Sequence, residues 1–237
     1  MLYRLLPLTC MFMMITSFSL FAQNDSRLST QLQLGYGSYA SSGVKVKQIF
    51  NIGGSQGTSI GSLPAGPASL YTALKLDYQL NNRWSLAPFA SYQYHDGKMF
   101  KNDVTRFGAT SSNPTPQEFS RPANHELRVF TTGVYLLYHF QEFKKINSYL
   151  GAGVSYASHS RYYRERLEVD FAEDKTPLNI EETYTRLSGD AIGIPLTAGL
   201  DRQLTDNFSL GLAVNGQVFQ DLKDVQLSAA IAMTYHW

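Results

Sequence analysis

The sequence predicts an all-β protein, an up-and-down antiparallel barrel of about eight strands that crosses a membrane. Three observations carry this. Apolar and polar residues alternate with period two along successive runs, as in "VQLSAAIAMTYHW" at residues 225–237. Charged residues are 16% of the chain, against roughly 25% in ordinary soluble domains. Aromatics reach 13% although the mean hydropathy is only −0.21, a mixture that suits half-apolar strands better than membrane helices.

The first residues, "MLYRLLPLTCMFMMITSFSLFAQ", hold one basic residue, Arg4, and then an apolar run from Leu5 to Phe21 that ends at Ala22. This is the outline of a secretory signal peptide over residues 1–22, with cleavage after Ala22 and residues 23–237 as the mature domain. An uncleaved anchor is the alternative. A lipoprotein signal at Cys10 is disfavoured, because "PLT" lacks the small residue such a cysteine needs beside it. Cleavage removes the only cysteine, and with it any disulfide or thiol chemistry. It also removes Arg4, leaving 19 basic residues against 19 acidic ones, and that balance gives no footing for nucleic acid.

Strands are expected near residues 30–40, 69–80, 84–95, 125–140, 148–158, 184–204, 208–219 and 225–237. Each is long enough to supply the ~10 residues that a tilted membrane strand requires. The first connection is long and rich in Gly and Ser, and the next is only "NNR". Another long segment, 96–124, is followed by the short "QEFKKIN", then by a charged stretch at 161–183, then by the short "TDN" and "QDLKD". Long connections therefore gather at one end of the strands and tight turns at the other, apart from a short final outer loop.

An internal echo supports the scheme. "LDYQLNNRWSLAPFASYQ" (76–93) aligns without gaps on "LDRQLTDNFSLGLAVNGQ" (200–217), and seven positions match. Both segments read as strand, turn, strand, with an aromatic, Trp84 or Phe208, directly after the turn. "NSYLGAGVSY" (147–156) repeats the second half with Tyr149 in that place, so the three aromatics are expected at one level as a membrane-interface girdle.

The polar faces separate a membrane barrel from a soluble one. Gly151, Gly153, Ser155 and Ala157 share one face of a strand, Ser209, Gly211, Ala213, Asn215 and Gln217 another, and Ser228, Ala230, Ala232 and Thr234 a third. Small neutral residues fit a cramped interior, while Phe208, Leu210, Leu212 and Val214 opposite them fit lipid. Lys75 and Asp77 share the non-lipid face of the second strand, and Asp201 takes the same place in the echo. Charge facing lipid is costly, so the three are expected to point inward and pair, or else to meet water beside the turn. Pro88 removes a ladder donor in mid-strand and calls for a bulge. The strand at 125–140 is apolar on both faces and has no assigned outward side.

The signal peptide, the repeated hairpin, the small inward faces and the ending Tyr235–His236–Trp237 resemble small bacterial outer-membrane barrels. These are the OmpA/OmpX-like group and the outer membrane protein beta-barrel domain proteins of Bacteroidetes. The resemblance implies a Gram-negative outer membrane with both termini periplasmic, a lipid surround, and transient contact with the barrel assembly machinery during insertion. Members end in an aromatic that this machinery recognises. Trp237 would then be insertion signal and lipid anchor together, in place of the usual phenylalanine, with Tyr235 beside it. The group includes lipid A-modifying enzymes and proteases, for which "SHS" at Ser158–His159–Ser160 near Glu165 is the local candidate. Adjacent strand residues face opposite sides, which argues against a dyad there. His95, His125, His139, His159 and His236 have no metal-ligand spacing, and "NIGGSQGTSIG" lacks the lysine of a phosphate loop. No cofactor is implied. The expected function is a structural or interaction barrel presenting long outer loops to an extracellular ligand. The alternatives are an accessory subunit of an envelope secretion or assembly complex, a lipid A-modifying enzyme, or a small-solute pore.

Overall fold

The computed structural model describes residues 27–41, 45–52, 55–62, 68–99, 104–107, 117–120, 123–140, 145–172, 176–220 and 224–237. The leader expected at residues 1–22 lies outside them. The strands among these residues are β1 (Leu28–Ser41), β2 (Lys45–Ile52), β3 (Ser55–Ser62), β4 (Ser69–Gln79), β5 (Trp84–Met99) and β6 (Val104–Phe107). They continue with β7 (Gln117–Ser120), β8 (Ala123–His139), β9 (Ile146–Phe171), β10 (Pro177–Thr205), β11 (Phe208–Phe219) and β12 (Asp224–His236). Eight of them run in the order β10-β11-β12-β1-β4-β5-β8-β9, and β9 pairs back onto β10, so the sheet closes on itself.

The barrel is apolar outside, and its interior mixes polar and small side chains with apolar clusters. Every strand of the ring carries large exposed apolar side chains, among them Tyr36, Leu70, Leu86, Leu136, Val154 and Ile194. The buried set is rich in Gln31, Gln33, Gln93, Thr197, Asn215 and Gln226. Water would not select that inversion, and lipid does. On β8 the exposed apolar residues run from Phe130 to Phe140. That is roughly 33 Å of strand, or about 25 Å of height at the usual tilt, the thickness of an apolar membrane band.

The strand without an assigned side is now oriented. Leu127, Val129, Tyr135 and Leu137 are buried in the lumen, whereas Phe130, Leu136 and Phe140 are exposed. Arg128 also faces outward, paired with Glu126. Pro88 does not produce the expected bulge. The β4–β5 ladder omits the two pairs opposite Pro88 and Ala87 and resumes in the same register at Tyr78↔Leu86, so one gap absorbs the missing donor. A matching gap lies between Gly193↔Ser155 and Leu196↔Ala152, beside Pro195. There the Ser155 hydroxyl donates to the Gly193 carbonyl at 3.2 Å.

Two of the long connections are structured where the sequence offered no strand. The Gly- and Ser-rich first one contains the hairpin β2–β3, and the second contains β6 paired with β7. The charged third connection is a hairpin, because β9 and β10 stay paired up to Phe171↔Pro177. One of its faces is covered, since Leu167, Val169 and Phe171 form a buried cluster with Ile180 packed against it.

Candidate functional site

The short turns, the start of β1 and the end of β12 share one end of the barrel, where Ser29 pairs with His236 and the Trp237 amide donates to the Leu28 carbonyl at 3.2 Å. A cavity of about 540 Å³ opens there, with Lys75, Asp77, His139, Tyr149, Asp201 and His236 among its lining residues. The internal echo builds it. Asp77 and Gln79 from one hairpin and Asp201 and Gln203 from the other all line the same space.

The repetition runs deeper than the hairpins. Ser85 follows Trp84, and its hydroxyl lies 2.7 Å from Nε2 of His139 on the next ring strand. Ser209 follows Phe208, and its hydroxyl lies 3.0 Å from Nε2 of His236 on the next ring strand. His139 sits in Tyr-His-Phe and His236 in Tyr-His-Trp. The ring is therefore two three-strand units, β4–β5–β8 and β10–β11–β12, separated by β1 on one side and β9 on the other. The cavity lies where the two units face each other. Metal-ligand spacing does not single out these two histidines, whereas the repeated aromatic-His-aromatic triplet does.

The two spacer strands meet across the lumen. Tyr149 from β9 donates its hydroxyl to Gln31 Oε1 from β1 at 3.1 Å. The Gln31 amide donates to Asp201 Oδ2 at 3.1 Å and to Thr234 Oγ1 at 3.0 Å. Gln33 donates to Gln31 at 2.7 Å, and Asn215 donates to Gln33 at 2.9 Å. These amides close the inner end of the cavity.

Tyr149 corrects the girdle. It is 4% exposed and points into the lumen, whereas Trp84 is 40% exposed. Serine follows the aromatic in the two true hairpins, but Leu150 follows Tyr149 and takes the outward place. A one-residue offset reverses the face of every side chain. Trp84 packs edge-on against Tyr138 with ring centres 5.1 Å apart, and Phe208 is half-buried at the Tyr235 end of β12. Tyr235 meets Trp237 edge-on at 4.9 Å, and Trp237 donates its indole N–H to Thr30 Oγ1 at 3.1 Å.

Lys75, Asp77 and Asp201 all face the lumen and are nearly inaccessible, at 2%, 8% and 8% exposure. They do not form a closed ion pair. Asp77 Oδ2 lies 3.4 Å from His139 Nε2, and Asp201 Oδ2 is held by Gln31. Lys75 Nζ sits 3.8 Å above the centre of the Tyr149 ring, a cation–π contact. The echo explains this asymmetry, because Gly199 occupies the place of Lys75 in the second unit. A Cβ on Gly199 would collide with the Tyr149 ring, and one on Gly211 would collide with the Asp201 carboxylate. Lys75 Nζ, Asp77 Oδ1 and Asp201 Oδ1 remain buried without a hydrogen-bond partner. Among the described residues no three His, Asp or Glu side chains close on a metal.

Farther along the lumen, Phe89 stacks on Tyr135 at 4.3 Å. Gln226 donates to Gln93 at 2.8 Å and Gln217 to Ser155 at 2.7 Å. Tyr39, Leu127, Val129, Ala157 and Phe219 fill the other end. His159 belongs to that end, its ring 5.7 Å from Tyr39, while Ser158 faces outward and Ser160 contacts Ser188 on the outer wall. The barrel wall thus separates the histidine from both serines.

No family model matches the chain, and no curated protein matches it. Among solved structures, Neisserial surface protein A aligns at 12% identity with a TM-score of 0.51, covering 89% of this chain and 97% of that one. OprG from Pseudomonas aeruginosa aligns at 9% identity and TM-score 0.45, covering 88% of this chain and 96% of that one. Ail of Yersinia pestis, in complex with the heparin analogue sucrose octasulfate, aligns at 9% and 0.44, covering 88% and 98%. At such identities the likeness is one of fold, and the closed ring of eight strands agrees with it: this chain has the architecture of a small outer-membrane β-barrel.

Proposed function

We infer that the chain is an integral outer-membrane protein, with both termini periplasmic, whose barrel is a support for a folded head on the outer side. The observation that carries this reading is the extension of β9 and β10. From Tyr156, the last strongly exposed apolar residue on β9, the strand continues to Phe171, roughly 50 Å of chain at about 3.3 Å per residue. The extension has its own buried cluster. It also recruits β2, which pairs with it in parallel from Lys47↔Arg166 to Ile52↔Phe171. A packed, four-stranded projection is a contact surface rather than slack, and functional residues concentrate on segments held this way. The filled lumen supports a supporting rather than a conducting barrel. The bond from the Trp237 amide to the Leu28 carbonyl sets Trp237 at the seam between β12 and β1, which suits a role as insertion signal for the assembly machinery.

The test is protease treatment of intact cells carrying the full-length protein. Cleavage within the β9–β10 extension, leaving a heat-modifiable barrel fragment in the outer membrane, is the expected result. Resistance on whole cells with cleavage only after the envelope is opened would put the head in the periplasm and overturn the reading. A large native complex with a fixed companion would move it to an envelope-machine subunit.

A further inference from the structure

The cavity at the turn end has needs that the chain itself leaves unmet. Lys75 Nζ has hydrogens without an acceptor, and Asp77 Oδ1 and Asp201 Oδ1 have lone pairs without a donor. All three residues line one 540 Å³ space that is open to the solution beside the turns. Buried charged groups keep hydrogen-bonding partners in nearly all proteins, so three unpartnered ones around one opening describe a ligand's complement. We propose that this cavity binds a small zwitterion of amino-acid or dipeptide size, its ammonium set between Asp77 and Asp201 and its carboxylate set on Lys75.

The two halves of the demand come from different residue types, so neither a simple cation nor a simple anion meets both. The volume lies within the ordinary range for small-molecule sites. The charge selects further. Asp77, Asp201 and Asp206 oppose Lys75 and Arg83 around the cavity, three carboxylates against two basic groups, which favours a ligand with one extra positive group. The side-chain amides of Gln79, Asn82, Asn147 and Gln203 supply neutral donors and acceptors for the remainder of the molecule. Lys75 and Tyr149 hold each other in place through the cation–π contact, and Gly199 leaves the room for it. The ligand would enter from the end where the termini lie and would not cross the membrane, because the Gln31–Gln33–Asn215 amides close the far side.

The experiment is an NMR titration of the full-length protein in detergent micelles with L-lysine as probe. 1,5-Diaminopentane, which is lysine without its carboxylate, and glutarate are the comparisons. Lysine is expected to move the amide signals of residues 75–77 and 201 and the ring signals of His139 and His236 saturably, in the millimolar range. The diamine and glutarate should each bind at least tenfold more weakly. Asp201→Asn should weaken lysine binding tenfold or more, and Lys75→Met should abolish the preference for lysine over the diamine. Equal affinity for lysine and the diamine in the unaltered protein would overturn the zwitterion assignment. Absence of saturable shifts with all three probes would show a cavity holding only water. Since both decisive comparisons use the unaltered chain, a variant that fails to fold does not rescue the proposal.

Discussion

At the scale of single residues, small changes of size or charge decide what the lumen can hold. Gly199 is the clearest case, because the Tyr149 ring occupies the volume a side chain would need. Gly199→Leu is expected to cost about 1–3 kcal/mol by overpacking, measured by urea unfolding in micelles. Tyr149→Phe keeps the ring beneath Lys75 and loses only the bond to Gln31, and should cost about 1 kcal/mol. His125 gives a second test, beyond the apolar belt. It is buried, and Arg161 Nε donates to its Nε2 at 2.9 Å. Burial first, and then the adjacent Arg161 charge, pull its pKa from 6.5 down to about 3. Between these two values the unfolded chain binds a proton that the folded chain refuses, so His125 stabilises the fold fully above pH 6.5 and progressively less as pH falls towards 3. Its ring signals should stay those of a neutral imidazole from pH 7 to 4.5. A midpoint near 6 would contradict the Arg161 bond.

The elements differ in how plainly the sequence announces them. Strands β11 and β12 alternate apolar residues with small or polar ones along most of their length, and period two alone orients both. Strand β8 cannot be oriented that way, because Leu127 and Leu137 pack into lumen clusters while Phe130 and Leu136 meet lipid, and both environments accept apolar side chains. The segment that became β3, "SQGTSIGS", has little strand preference of its own and takes its form from pairing with β2. In the β9–β10 extension, a register shift between Thr183 and Tyr184 brings both Tyr163 and Arg164 to the buried side. Arg164 then meets Glu182 at 3.1 Å, and Tyr184 donates to the same carboxylate at 3.0 Å. Leu167→Ala removes a fully buried member of the small cluster above this pair, at a local cost of about 2–5 kcal/mol. The expected outcome is faster proteolysis of the extension with an unchanged heat shift of the barrel. Loss of the heat shift would mean that head and barrel fold as one unit.

At the scale of the whole molecule, the ring and its inside-out polarity were legible because lipid imposes the same period on every strand. The candidate cavity was half legible. The echo placed Asp77 and Asp201 at matching positions, but only the three-dimensional ring shows that the positions face each other and enclose His139 and His236. Among the described residues, side chains occupy the lumen from the Gln31 amide cluster to Tyr39 and Phe219. Planar-bilayer recordings should therefore be silent, and steady unit conductance would show that the amide cluster yields. The parallel pairing of β2 with β9 adds a constraint of timing. Lys47 finds its partner in Arg166, well over a hundred residues later in the chain, across three intervening membrane strands. Such long loop closures are slow, and this one needs both partners on the same side of the membrane. The β2–β9 junction is then the last part of the protein to become native, and an antibody specific for the joined β2–β9 surface would report the moment at which insertion is complete.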